Sequence, residues 1–289
     1  MQAAISTLYR SASLEIKNFV CQCHECEMSA VEYQEQFSIC YVRKGSFLFR
    51  VFNDDLESYT GKFLLNKPGF THQVKHFHLQ PDECTIIRFD TGFYEIFKER
   101  FSSRFKKFLH NPDVHSLIVS ATAESDYLHY RLYNYLHTGK IEKLLVEGLA
   151  MDLIYSLFSG QPIACRPAIS GKHKQLYLSS IEESRQFLQE NFTEDISLEQ
   201  IAAQSCMSPY HFNRVFKRFT SISPYQYLLN YRLQHAAHLL KDTKESIAAV
   251  GYLSGFNSPD HFSYAFKACN QLSPVAFRKN PSRFAVMGK

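Results

Sequence analysis

The feature that most constrains this chain is an internal repeat. The stretch SPYHFNRVFKRFTSISPYQY begins at Ser208, and SPDHFSYAFKACNQLSPVAF begins at Ser258, fifty residues further on. At that offset Ser208, Pro209, His211, Phe212, Phe216, Lys217, Ser223 and Pro224 recur as Ser258, Pro259, His261, Phe262, Phe266, Lys267, Ser273 and Pro274. Tyr227 becomes Phe277. Self-similarity of this kind marks one supersecondary unit used twice. A short helical stretch precedes each copy, Leu198 to Ala202 and Ile247 to Gly251, and each ends in a turn, Cys206-Met207-Ser208 or Gly255-Phe256-Asn257. Ser208 and Ser258 stand where an N-cap belongs, with Pro at the first helical position, where its missing N–H costs nothing. Each unit therefore reads as a short helix, a tight turn and a capped second helix. Ile201, Phe212 and Phe216 supply the stripe that packs the pair, while Asn213, Arg214, Lys217 and Arg218 fall on the opposite face. This is the layout of a helix-turn-helix. One copy alone would suit a plain helical hairpin with a basic solvated face; two copies argue against that reading.

From about Ser180 to Arg278 the chain resembles the DNA-binding domain of AraC/XylS-type transcription regulators. The residues carrying the resemblance are Ile201-Ala202, Phe216-Lys217, Ser223-Pro224, Tyr231-Arg232-Leu233, Ala236 and Leu239-Leu240 in the first half. Gly255-Phe256, Phe262-Ser263, Phe266-Lys267, Ser273-Pro274 and Phe277-Arg278 carry it in the second. The resemblance implies seven helices, two helix-turn-helix units and a connecting helix from about Pro224 to Leu240, about 25 Å long at 1.5 Å per residue. Such a spacer holds two recognition helices near one DNA turn apart, so both can enter successive major grooves of a duplex. Carried over by position, the base readers of the first unit are Tyr210, Asn213 and Arg214, with Lys217 on a phosphate or base edge and Arg218 beside it. The second unit offers Asp260, Ser263, Tyr264 and Lys267. An acid at 260 and a tyrosine at 264 depart from the basic or amide residues common there. Gly251 stands where Ala is usual, and Ser221 and Gln271 where Gly is usual. The second unit is therefore expected to position the backbone more than it reads bases. The implied partners are double-stranded DNA, a small-molecule effector, a second copy of the chain in a homodimer, and RNA polymerase.

Charge agrees with this division. From Lys172 onward there are 14 Lys and Arg against 9 Asp and Glu, whereas the rest of the chain has 18 against 19. A positive excess confined to one part is the footprint of a nucleic-acid face. In the 289 residues there is no run of about 18 apolar ones, and MQAAISTLYRSASLEIKNF has no basic region followed by an apolar stretch. The expectation is a cytoplasmic protein with no membrane partner, whose eight cysteines are reduced thiols.

Residues from about 15 to 90 alternate apolar and polar. Phe37 to Val42, Ser46 to Phe52 and Thr85 to Phe89 read as strands, with turn signals at Arg43-Lys44-Gly45, Asn53-Asp54-Asp55 and Lys67-Pro68-Gly69. Short strands without intervening helices suggest a small antiparallel barrel or sandwich. From about 92 to 159 the period becomes helical, through Tyr127, Tyr130, Leu132, Tyr135 and Leu136, and through Leu144, Leu145, Gly148, Leu149, Leu153 and Leu157. Those stripes either pack on the barrel or leave a face for a second copy. Tyr41 to Gly45, Phe63 to Gly69, His72 and Asp82 to Thr85 resemble the cupin-like sensor domain of one branch of the same family. That resemblance implies a barrel able to take a small molecule.

Two clusters bear on chemistry. His72, His76 and His78 lie close together, and metal-using cupins hold iron or manganese with histidines and a glutamate. No Glu follows at their spacing, so these read as surface or loop histidines, and a metal-dependent cupin-type enzyme is the alternative function. Cys21, Cys23, His24 and Cys26 could offer zinc three or four ligands at low loop-closure cost. A single strand would point Cys21 and Cys23 to one face and His24 and Cys26 to the other, so a turn near His24 would be needed. Zinc or redox sensing by Cys21, Cys23 and Cys26 stands against free thiols on an edge strand; no cofactor is otherwise required.

The sequence thus predicts an α+β protein without enzymatic activity. Residues 1–160 form a cupin-like sensor and dimerisation domain, a small β-barrel with packed helices. Residues 161–174 form a linker, and residues 175–289 an all-α DNA-binding domain whose helix-turn-helix units are joined by a long helix.

Overall fold

The computed structural model describes residues 3–23, 27–52, 54–76, 81–100, 103–139, 141–159 and 171–279. These divide into two compact units, one reaching Ser159 and the other starting at Gly171. Residues 161–170 of the expected linker lie outside the described residues, and residues 171–174 already belong to a helix.

The first unit is built on strands β1 (Ala3–Arg10), β2 (Leu14–Cys21), β3 (Glu32–Gln34), β4 (Phe37–Lys44), β5 (Ser46–Val51), β6 (Asp54–Tyr59), β7 (Lys62–Asn66), β8 (Phe70–His76), β9 (Glu83–Phe89) and β10 (Ser116–Ser120). They pair antiparallel in two sheets, ordered β1-β2-β9-β4-β7-β10 and β3-β8-β5-β6. The strands expected to form a small barrel or sandwich thus make two sheets that no strand pairing joins among the described residues. The larger sheet explains why. Ile16, Ile39, Tyr41, Phe63, Leu65, Ile87 and Phe89 face helices α1 (Thr91–Arg100), α2 (Ser103–His110), α3 (Ala123–Leu136) and α4 (Lys143–Ser159). The alternate residues Cys40, Val42, Leu64 and Cys84 meet Phe47, Phe49, Val51 and Phe70 of the smaller sheet. A sheet covered on both faces must be apolar on both, so β4 is buried from Phe37 to Val42 without the alternation of a half-exposed strand.

Several polar groups buried on the helix side are paired. Tyr41 donates to the Asp126 carboxylate, and His129 Nε2 meets Thr85 Oγ1 at 2.9 Å. Lys67 donates to the carbonyls of Phe108 and Asn111, placing a cation at the C-terminus of α2, where the helix dipole favours one.

The second unit is all helical: α5 (Gly171–Glu190), α6 (Leu198–Gln204), α7 (Pro209–Thr220), α8 (Pro224–Asp242), α9 (Ile247–Leu253), α10 (Pro259–Asn270) and α11 (Pro274–Lys279). Ser197, Ser208, Ser223, Ser246 and Ser258 each cap a helix by accepting a backbone N–H at the third position. Phe256, Phe262, Phe266 and Phe277 pack with Leu233, Ala236, Ala237, Leu240 and Val250 around the C-terminal half of α8. Phe216, Tyr227 and Tyr231 make a similar ring cluster at its N-terminal half.

Candidate nucleic-acid interface and the N-terminal cavity

The helix pairs α6–α7 and α9–α10 are the two helix-turn-helix units. In α7 the apolar stripe Phe212, Val215, Phe216 and Phe219 is buried, and Arg214, Lys217 and Arg218 are exposed. Asn213 is half-buried, and Tyr210 stands 78% exposed at the start of the helix. In α10 the same packing buries Phe262, Ala265 and Phe266, leaving Asp260 and Lys267 exposed, Ser263 half-buried and Tyr264 77% exposed. The two exposed rings stand at different places in the repeat, since Tyr210 corresponds to Asp260 and Tyr264 to Arg214. Asp260 lies in the first turn of α10, where the helix dipole favours an acid, which accounts for its charge without a base contact. Arg218 reaches back to His173 of α5, with Nη1 and Nε2 3.2 Å apart.

The spacer α8 has 19 residues, about 28 Å at 1.5 Å per residue. Arg232 on this helix was quoted above only as part of a motif, yet it fixes the geometry. Its guanidinium donates to Phe192 O at 2.7 Å and Glu194 O at 2.6 Å, closing the chain that follows α5. Gly255 fits against the same place at φ +82°, and a Cβ there would sit 2.8 Å from Phe192 O. Gly251 is explained too, because a Cβ would approach the Phe262 ring at 3.0 Å.

Between the sheets of the first unit lies a cavity of about 300 Å³. Phe19, Phe47, Phe49, Leu64 and Ile86 give it apolar walls, and Ser38, Asn66, His72 and Arg88 give it polar ones. His72 and His76 are therefore not the surface or loop histidines that the sequence suggested. His72 stacks on Phe49 with ring centroids 4.6 Å apart, and its buried Nδ1 has no hydrogen-bond partner. Burial, with the nearby Arg88 charge, lowers its pKa to about 4. His76 is buried against the Asp82 carboxylate. His78 lies outside the described residues.

The expected Cys21-Cys23-Cys26 grouping comes apart in an informative way. Cys26 and His24 lie outside the described residues. Cys21, at the end of β2, is buried, and its ligand atom lies within 4.8 Å of those of His76 and Asp82. Cys23 joins it through hydrogen bonds from both its backbone and its thiol. Burial pushes the Cys21 thiol up, the Cys23 amide opposes this, and the Asp82 charge adds to it. Cys40 and Cys84 face the same cavity; their mutual hydrogen bond and burial hold the Cys84 thiol far above its usual range, hence protonated. Cys21, Cys23, Cys40, Cys84, Cys206 and Cys269 form no disulfide.

Paired, capped helix-turn-helix units on a common spacer define a DNA-reading class of domain, and comparison with known proteins places it further. A family model described as a helix-turn-helix domain matches residues 201–280. An uncharacterized HTH-type transcriptional regulator of Haemophilus influenzae is 40% identical over 88 residues, 30% of this chain and 30% of its own length. The HTH-type regulator YdeC of Bacillus subtilis is 21% identical over 257 residues, 86% of each chain. A solved regulator from Chromobacterium violaceum, titled for its AraC-type DNA-binding domain, is 30% identical, covering 36% of this chain and 95% of that one with a TM-score of 0.33. Residues 201–280 thus carry an AraC-type helix-turn-helix domain like those of transcriptional regulators. No helix among the described residues is long and apolar enough to cross a membrane.

Proposed function

We propose that this protein regulates transcription by binding double-stranded DNA through α7 and α10, under the control of a small molecule held between the N-terminal sheets. The observation that carries this reading is the pair of recognition helices in one compact unit, each with an exposed tyrosine, though at different positions of the repeat, and an exposed lysine at the matched positions 217 and 267. The 300 Å³ cavity is the size of a small effector, and its mixed walls suit a largely apolar molecule with a polar end near His72 and Arg88. The protein works in the cytoplasm and contacts RNA polymerase when bound to its site. It acts as a homodimer: Leu144, Leu145, Met151 and Tyr155 are exposed on α4 although Leu149, Leu153 and Leu157 are buried, which leaves one apolar face of that helix uncovered. The reading as a cupin-type enzyme has less support, since His72 lies near Glu32 while His76 is held by Asp82, and the two histidines share no ligand group among the described residues.

Binding titrations of Arg214→Ala and Lys217→Ala across a salt series test the assignment. Arg214 shares the outward face of α7 with Tyr210 and Asn213, where its planar fork can pair with a guanine O6 and N7, a contact worth about 1–3 kcal/mol of base discrimination. Its loss should weaken cognate DNA far more than random DNA. Lys217 recurs as Lys267 while the Arg214 position becomes Tyr264, and a residue kept while its neighbours vary suits the invariant phosphates. Lys217→Ala should weaken both DNAs alike and reduce the salt slope by about one. Equal loss for all sequences with Arg214→Ala, or no loss with either variant, refutes the placement of α7.

A further inference from the structure

We propose that Cys21, Cys23, His76 and Asp82 form a zinc-binding site at the wall of the N-terminal cavity. The idea stands apart from the DNA-reading function, because all four residues belong to the first unit. Three of them present a sulfur, an imidazole nitrogen and a carboxylate oxygen within 4.8 Å of one another, from the end of β2, the end of β8 and the residue before β9. Each is at least 96% buried, with exposures of 1%, 4% and 1% for Cys21, His76 and Asp82. Two elements far apart in sequence are tied here, since the Cys21 amide donates to Asp82 O at 2.9 Å.

The donor set is what a borderline-soft divalent ion selects. Zinc takes thiolate, imidazole and carboxylate in a tetrahedron, with bonds of about 2.0–2.3 Å that put neighbouring ligand atoms about 3.3–3.8 Å apart. The observed cluster reaches that spacing with shifts of about 1 Å. Cys23 supplies the fourth donor: its thiol hydrogen-bonds the Cys21 thiol, and its backbone N–H points at the same sulfur, a bond that stabilises a thiolate. Asp82 also touches His76 Nδ1 and so can ligate through one oxygen while orienting the ring, or act wholly as the ring's support and leave Nε2 to the metal. The second Asp82 oxygen lies 3.9 Å from Cys84 Sγ.

The fold makes room for the carboxylate at a specific place. Gly45 adopts φ +78°, and a Cβ there would fall 2.6 Å from the Asp82 Cα. The turn after β4 thus presses on Asp82 and sets its position. Arg43, whose charge is felt at the neighbouring Cys84, is engaged by Glu83 at 3.3 Å and Tyr133 at 2.6 Å. A buried carboxylate beside thiols needs a partner, and a divalent ion or the His76 ring is what the surroundings supply. The alternative to the metal is therefore a plain buried His76–Asp82 hydrogen bond.

Full-length protein, reconstituted with zinc and freed of excess, should hold one zinc per chain by elemental analysis. Zinc should slow alkylation of Cys21 and Cys23 at least tenfold, mapped by mass spectrometry, and leave Cys206 unaffected. Cobalt in its place should give the intense visible absorption of a tetrahedral site with a thiolate-to-metal band. His76→Gln and Asp82→Asn should each cut zinc occupancy at least tenfold under a competing chelator, with the circular dichroism spectrum retained. No stoichiometric zinc in the unaltered protein, or protection that spares Cys21, overturns the site and leaves the His76–Asp82 hydrogen bond. Zinc held through Cys26, with His76→Gln and Asp82→Asn fully occupied, also overturns it. Should the variants unfold, the alkylation and cobalt measurements on unaltered protein decide alone.

Discussion

His72 shows how a single side chain can report on its surroundings. Its ring is stacked on Phe49 and its pKa is lowered from 6.5 to about 4 by burial first and Arg88 second. The Glu32 carboxylate at 3.9 Å would pull the other way, but it is half-exposed and screened by water. Between about pH 6.5 and 4 the unfolded chain binds a proton that the folded one excludes, so this group makes stability rise with pH across that window. Its contribution is present above the window and is lost on acidification, on the order of 2 kcal/mol after allowing for screening. Urea unfolding of the full chain at a series of pH values should show a steeper acid loss than His72→Gln; parallel curves would show that His72 is protonated in the fold. Nothing local in the sequence exposes this environment. Alternation places His72 on a strand face, but which face is inside depends on a second sheet whose pairing is long-range. The same limit governed the cysteines: Cys21-x-Cys23 is visible as a pair, whereas Asp82 and His76 become its neighbours only when β8 and β9 are brought to β2. Arg214 and Lys217, by contrast, are readable because a helical period and a repeat fix their face within a dozen residues.

At the level of elements, the most local features were the most legible. The serine caps, the prolines after them and the repeat determine α7 and α10 through contacts only a few residues apart, and the helices begin where those signals stand. The N-terminal strands were legible as antiparallel β structure through their alternation, but β1 and β10 were not, since β1 lies before the alternating stretch, β10 is a five-residue strand set among helices, and each is an edge of the larger sheet. Non-glycine residues close both recognition helices in the left-handed region, Ser221 at φ 80° and Gln271 at φ 58°. A side chain there costs about 1 kcal/mol or more relative to its relaxed state, so Ser221→Gly and Gln271→Gly should each raise stability by about 0.5–1 kcal/mol. Gly255→Ala should do the reverse and cost about 2 kcal/mol or more, because its Cβ would meet Phe192 O and Thr193 Cα, both 2.8 Å away. Thermal melts followed by circular dichroism measure all three. A stabilised Gly255→Ala would mean that the turn between α9 and α10 yields more readily than its packing against α5 and α8 implies.

For the molecule as a whole, the issue is what each unit contributes to occupancy of a DNA site. Every residue of the repeat, its spacer and its caps lies in the second unit, whose buried clusters are made within it. A fragment from Gly171 to Lys289 should therefore fold as a helical module and, on the proposed reading of bases by α7 and α10, keep sequence preference. It should bind more weakly than the full chain, because joining two such modules through the first unit makes the second binding event intramolecular and multiplies affinity by about 10²–10⁴. In the proposed homodimer the uncovered face of α4 is that junction: Leu144 is 85% exposed on a helix whose other side is packed against the larger sheet. Leu144→Glu in the full chain should then reproduce the fragment's weaker binding while leaving the first unit folded, and should move sedimentation from dimer to monomer. The two measurements together separate the causes. A fragment that unfolds assigns the second unit's stability to contacts outside it. A folded fragment that binds as tightly as the full chain removes avidity from the mechanism. A monomeric Leu144→Glu protein of undiminished affinity would show that one chain, with both of its helix-turn-helix units, fills the site alone.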